Sequence, residues 1–149
     1  MPPAVAVADA SLAVKWVIRE PLSGEARRLL HDWENANISP VAPALFAIEC
    51  AQALYRRVHE AQITVPEAQA LLDALLARGV RVIRPSANVL RRSIEMAAGF
   101  GLPNLYDCQY AATAEAIQAE FWTGDKAFRD VAQPALPFVH WIGERIGTV

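Results

Sequence analysis

Asp9, Glu49, Asp107 and Asp125 are the residues whose types and settings in this chain could do chemistry. Asp9 closes a short apolar run in VAVADAS, Glu49 lies within a helical stretch, Asp107 sits in NLYDCQY and Asp125 in FWTGDKAF. Brought together, the four carboxylates would make an oxygen-rich pocket for a hard divalent cation. Mg²⁺ prefers octahedral oxygen coordination at about 2.0–2.1 Å and commonly takes one or two carboxylates, waters and phosphate oxygens. A cation so held lowers the pKa of a water and polarises a phosphate, so metal-assisted phosphodiester hydrolysis is the leading chemistry. Without it, carboxylates about 4 Å apart repel by roughly 4 kcal/mol at an effective dielectric of about 20, and one or more should hold a raised pKa.

Each acid also has a purely structural explanation. Asp9 can accept from the amides of the turn into the next helix, although a carboxylate directly after a buried strand is costly there. Asp107 lies three residues after Asn104, a candidate cap, and would be a favourable first-turn acid. Asp125 can cap a helix starting at Lys126, and Glu49 taken alone is a solvated helix position. Asp130, four residues after Lys126, is accounted for by an i,i+4 ion pair and is held in reserve. Cys50 and Cys108 have no CxxC spacing and read as reduced, packed thiols. His31, His59 and His140 show no metal-ligand spacing, and no nucleophile triad is visible.

The elements that must position the acids follow from pattern and composition. A chain of 149 residues, 54% of them hydrophobic, suits one compact domain over 1–149. Charges interrupt every apolar run before the ~20 residues of a membrane span, and the N-terminus lacks a signal-peptide pattern, so a cytoplasmic protein is expected. The formal net charge of −2 argues against nucleic-acid binding through bulk charge, yet arginines occur in local pairs: Arg27 with Arg28, Arg56 with Arg57, Arg91 with Arg92. Such pairs on helices are usually solvated faces.

Val5 to Ala8 is small and β-branched, suited to a parallel strand buried on both faces. Ser11 can cap a helix through Val17, and Leu22 to Trp33 carries a second helical pattern. A short strand is expected at Ile38 to Val41, weakened by Pro40. Ala44 to Glu60 is an amphipathic helix, with Leu45, Ile48, Gln52, Tyr55 and His59 on one stripe and Glu49, Arg56 and Glu60 on a polar one. Thr64 and Pro66 start a helix that Gly79 ends before a strand at Val80 to Ile83. Ser86 to Ala98 is helical, Gly99 to Pro103 a loop, and Asn104 caps a helix from Leu105 to about Gln118. Phe121 to Thr123, Lys126 to Val131 and Phe138 to Trp141 complete the chain as strand, short helix and strand. Strands alternating with helices imply right-handed parallel crossovers, hence an α/β, three-layer α/β/α sandwich with a small parallel sheet. Asp9 and Thr123 with Asp125 would then meet at strand C-termini, where open α/β sheets place their ligand sites.

The segments VADASLAVKW, PALFAIECAQAL, LYDCQYAATA and FWTGDKAF resemble, in order, the blocks of the PIN domain, and specifically the VapC-type toxins of bacterial VapBC toxin–antitoxin systems. The resemblance covers nearly the whole chain. It implies an endoribonuclease that uses Mg²⁺ or Mn²⁺, cuts RNA such as tRNA or rRNA with a metal-activated water, and is neutralised by a VapB-type antitoxin. Carried over, Asp9, Glu49, Asp107 and Asp125 would be the catalytic, metal-binding quartet, with Ser11 and Thr123 as supporting hydroxyls. Ser11 as a helix cap and Thr123 as a strand former are the alternatives. Similar proteins often carry Asn three residues after the helical Glu; Gln52 stands here, with a longer amide. Lys15 and Lys126 are close enough in sequence to meet phosphate, and a homodimer with two pockets on a shared groove is expected. Two other readings compete. In one, a PIN-fold interaction module binds no productive metal; in the other, a phosphorelay receiver would need an acidic pair after the first strand, where only Asp9 stands.

Overall fold

The computed structural model describes residues 4–147. Its centre is a five-stranded, all-parallel sheet: β1 (Ala4–Ala8), β2 (Ile38–Pro43), β3 (Arg81–Ile83), β4 (Glu120–Thr123) and β5 (Val139–Trp141), in the order β3-β2-β1-β4-β5. The chain builds outward from β1 to β3 and then returns to lay β4 on the other side of β1. Strand order therefore reverses between β1 and β4, and the crevice beyond their C-terminal ends is the switch point of the sheet.

Helices join the strands: α1 (Ala10–Ala13), continued by a 3₁₀ turn over Val14–Trp16, α2 (Ser23–Asn35), α3 (Phe46–His59), α4 (Val65–Leu76), α5 (Ala87–Phe100), α6 (Tyr106–Ile117) and α7 (Lys126–Ala132). This is the α/β/α sandwich expected from the alternation. The register sets Val41, Val7, Phe121 and Val139 in one row across four strands, and all four are fully buried. Each such side chain contributes roughly 1.5–3 kcal/mol by leaving water. Helix α6 lies over β1, β2 and β4, and stacks Tyr110 on Phe121 with ring centroids 5.8 Å apart.

Three local expectations need correcting. Ser11 does not cap α1; Asp9 does, its Oδ1 accepting from the Leu12 amide at 2.9 Å. Leu105, not Asn104, is the N-cap of α6, and Asn104 accepts from Tyr106 N only at 3.4 Å. Helix α5 continues through Gly99 to Phe100, because the left-handed residue that ends it is Gly101, at φ 67°. Thr64 does cap α4, and Glu67, which had not been singled out, completes the cap by accepting from the Thr64 amide.

Strand β2 runs through Pro40 to Pro43 despite being an inner strand. Strand β3 begins opposite Val41, so at Pro40 only β1 borders the strand and one side has no ladder bond to lose. In α3 the buried positions are Phe46, Cys50 and Leu54, whereas Ile48 and Tyr55 are 73% and 57% exposed. The helix carries two apolar stripes, and periodicity does not say which one meets the core.

Candidate functional site

Because Ala8 pairs with Trp122, the residues that follow them, Asp9 just after β1 and Thr123 at the end of β4, fall side by side at the switch point. Thr123 Oγ1 donates to Asp9 Oδ2 at 2.5 Å, and Ser11 Oγ donates to Asp9 Oδ1 at 2.7 Å. Each hydroxyl in turn accepts a backbone amide from the corner after β4: Gly124 N reaches Ser11 Oγ at 2.9 Å, and Asp125 N reaches Thr123 Oγ1 at 3.0 Å. A hydroxyl has one proton to give. Both protons here go to Asp9, so Ser11 and Thr123 relay the amides of the corner into its carboxylate and fix its direction. Asp9 is buried, and burial before all else raises its pKa, against the lowering effect of Thr123, Ser11 and the Leu12 amide.

Gly124 is required by this junction. A Cβ there would stand 2.6 Å from Ser11 O and 3.0 Å from Lys15 Cε, so only a residue without one lets α1 and the β4 corner approach. Asp125 follows as the N-cap of α7, with Oδ1 accepting from Phe128 N at 3.1 Å.

Glu49 and Asp107 enter from the first turns of α3 and α6. Glu49 Oε1 accepts from Tyr110 Oη at 2.6 Å; its pKa is raised by burial, opposed by Tyr110 and assisted by the negative charge of Asp9. Tyr110 was not anticipated as a site neighbour. Its spacing in YDCQY, three residues after Asp107 and so on the same helical face, was the available signal. Burial and Glu49 hold the Tyr110 phenol far above its ordinary value, so it remains a donor.

Asp107 receives no side-chain hydrogen bond among the described residues. Burial first, then the charges of Asp9, Asp125 and Glu49, push its pKa up to about 7. Those electrostatic couplings show that the four acids occupy one region. Cys50 and Cys108, each next to an acid in sequence, are buried free thiols raised to about 12 and about 11, and stay protonated.

Among the described residues no three His, Cys, Asp or Glu side chains are grouped closely enough to hold a metal ion by themselves. The donor chemistry nevertheless fits a hard cation. Among the described residues, Asp9 uses three of its roughly four lone-pair sites, Asp125 and Glu49 each keep one oxygen without a protein donor, and Asp107 keeps both. None of these oxygens is sealed from solvent without a partner. Such an open set suits an ion that retains several waters.

Gln52 faces the cleft beside Glu49 and is exposed, and among the described residues it makes no hydrogen bond to any of the four carboxylates. Lys15 is turned to Glu20, at 3.0 Å. Lys126 is engaged by Asp130 at 2.9 Å, and Asp130, its pKa lowered by Lys126 and then Arg129, belongs to that exposed ion pair rather than to the acidic region.

Comparison with protein families matches residues 6–134 to the PIN domain. The chain belongs to the PIN domain family. Solved structures of similar fold include PAE2754 from Pyrobaculum aerophilum, at 17% identity and a TM-score of 0.69, over 95% of this chain and 92% of that one. VapBC2 from Rickettsia felis, bound to a promoter DNA fragment, aligns at 16% identity and a TM-score of 0.66, over 92% of this chain and 96% of that one. Mycobacterium tuberculosis VapC20, described as a sarcin-ricin loop cleaving toxin, aligns at 17% identity and a TM-score of 0.65, over 89% and 96%. No curated protein matches this PIN domain in sequence. Among its described residues no helix is long and apolar enough to cross a membrane.

Proposed function

We propose that this PIN domain is a metal-dependent endoribonuclease of VapC type, with Asp9, Glu49, Asp107 and Asp125 holding Mg²⁺ or Mn²⁺. The observation that carries the reading is the setting of Asp107: a partly buried acid that receives no side-chain hydrogen bond among the described residues and lies within electrostatic reach of Asp9, Asp125 and Glu49, whose charges add to its own burial in raising its pKa to about 7. Such a group is poised to lose its proton when a cation arrives. A bound divalent cation would supply charge on the phosphate oxygens and a nucleophile at neutral pH.

The chain's own residues do the positioning. Ser11 and Thr123 hold Asp9 at the switch point, and Tyr110 fixes one oxygen of Glu49 and leaves the other without a donor among the described residues. Asp107 and Asp125 complete the negative wall against which only a cation-bound phosphate could rest. Gln52 lies beside Glu49 at the rim, where its amide can meet substrate.

The VapBC neighbours support a VapB-type antitoxin as partner. An apolar groove between α3 and α4, lined by residues including Leu54, Tyr55, Val58, Val65 and Leu72, suits the apolar face of an antitoxin segment. An antitoxin arginine would satisfy the same negative charge as the metal. A ribosomal RNA or tRNA substrate and a homodimer belong to the same reading, the former supported by the description of VapC20.

The second reading, a PIN-fold interaction module, is favoured by the absence of a tight three-ligand group among the described residues. One experiment separates them. Purified protein is incubated with mixed tRNA and ribosomal RNA in Mg²⁺ or Mn²⁺, beside EDTA and an Asp107→Asn variant whose folding is verified by circular dichroism. Discrete, metal-dependent cuts lost in the variant are expected; no cutting, or equal cutting by the variant, would favour the interaction module.

A further inference from the structure

A cleft of about 310 Å³, lined by charged side chains and small apolar ones, opens from the acidic region along the side of α3. It shares Ser11, Glu49 and Gly124 with the acidic site and extends past Gln52 to Arg56. Glu49 and Arg56 are seven residues apart on one helix, roughly 10 Å along its axis at about 1.5 Å per residue. The cleft wall changes sign over that distance: it is acidic at Glu49 and basic at its far end, in a chain whose net charge is −2.

The basic end is organised. Glu20 pairs with Lys15 at 3.0 Å and also with Arg57, placing one carboxylate between two cations. Lys15 donates a second bond to Pro21 O at 3.0 Å, and Arg57 Nη1 donates to Ala53 O at 3.0 Å. Both side chains are thus held in one direction, and each keeps donors to spare, since an ammonium has three and a guanidinium five. Arg56 is exposed at the rim and makes no ion pair or side-chain hydrogen bond among the described residues. The lining holds Lys15, Arg56 and Arg57 against Glu20 and Glu49. Because Glu49 belongs to the acidic cluster, the far end is left with two uncompensated positive charges.

We infer that this cleft seats a backbone phosphate of the RNA strand next to the one cleaved, with Arg56 as its direct contact and Lys15 and Arg57 as flanking cations whose charge Glu20 partly offsets. The inference rests on the nuclease reading for its substrate. A guanidinium matches phosphate oxygens bidentately, and phosphate contacts fix register without reading sequence. The cleft therefore sets where the strand lies relative to the acids, and the two ends divide the work: anion recognition at Arg56, cation holding at Glu49. Lys126, already paired with Asp130, has no part in it.

The test is binding of a short labelled single-stranded RNA, followed by fluorescence anisotropy across a salt series in Mg²⁺, in the Asp107→Asn background so that the strand stays intact. Adding Arg56→Gln is expected to weaken binding about fivefold near 0.1 M salt and to reduce the salt slope by about 0.7, the size of one single-strand phosphate contact. Adding Glu20→Gln, which frees Lys15 and Arg57, should tighten binding and steepen the slope, a change that a merely structural role would not produce. Arg91→Gln, on α5 and outside the cleft, is the control that should leave both unchanged. Affinity and slope unaltered by both Arg56→Gln and Glu20→Gln would overturn the proposal. Cleavage assays with the unmutated acids keep the two readings apart. If the native protein cuts no RNA yet Arg56→Gln weakens binding, the nuclease reading falls and the phosphate seat stands. If the native protein cuts and Arg56→Gln changes neither KM nor salt slope, the phosphate seat falls alone.

Discussion

At the scale of single residues, Asp107 concentrates the consequences of bringing four acids together. An unfolded aspartate titrates near about 3.9, whereas burial and the charges of Asp9, Asp125 and Glu49 raise Asp107 to about 7 in the fold. Between those values the folded state binds more protons than the unfolded chain, so stability falls as pH rises. The stabilising contribution is full below about pH 4 and lost on passing through about pH 7. Metal-free protein should therefore melt at a lower temperature at about pH 8 than at about pH 5, by a few degrees. The difference should shrink in Asp107→Asn, as read by circular dichroism against temperature; the same pH dependence in that variant would remove Asp107 as its source. Ser11 and Thr123 illustrate another residue-scale lesson. The resemblance marked both as supporting hydroxyls, and the fold spends both on a single carboxylate, Asp9.

At the scale of elements, the junction between α1 and the corner after β4 depends on Gly124. Alanine there would press its Cβ against the Ser11 carbonyl, and backbone on both sides leaves little room to yield. Gly124→Ala should cost about 1–3 kcal/mol by urea unfolding, as overpacking typically does, and should lower any RNA cleavage by displacing Thr123 and Asp125. Gly99→Ala is the informative comparison. Nothing lies within 4 Å of a Cβ at that position, inside helix α5, so the substitution should stabilise by roughly 0.5–1 kcal/mol. Equal effects of the two would show that the close approach at Gly124 does not constrain the corner. Helix α3 shows why elements are legible before their orientation is. Its extent was readable from the pattern, but the core takes Phe46, Cys50 and Leu54 while Ile48 and Tyr55 face outward.

At the scale of the whole molecule, the five parallel strands turn a scattered set of acids into one negative region at the sheet's switch point. A ligand that binds only the folded state stabilises it by mass action, by about 2.7 kcal/mol at a hundred times Kd. Saturating Mg²⁺ or Mn²⁺ at about pH 8 should accordingly raise the melting temperature by roughly 5–10 °C, taking about 2–4 °C per kcal/mol for a chain of this size. The rise should be smaller at about pH 5, where Asp107 holds its proton and must release it to bind. No shift at about pH 8 with either ion would sink the metal-dependent reading, whatever the outcome of cleavage assays.

The alternation of strands with helices, the cap at Thr64 and the four acidic blocks were determined by the sequence alone. These features depend on neighbours within a turn or two of chain, where periodicity and capping chemistry act. The strand order could not be read that way, nor could the tolerance of Pro40, which depends on where β3 begins. The i,i+4 spacing already paired Lys126 with Asp130, whereas only the fold turned Lys15 into the cleft and onto Glu20. The bonds that shape the site join residues 61 positions apart, Tyr110 to Glu49, and 114 apart, Thr123 to Asp9. Contacts of that reach exist only after the sheet has closed, because it is the pairing of β1 with β4 that brings their ends within hydrogen-bond distance.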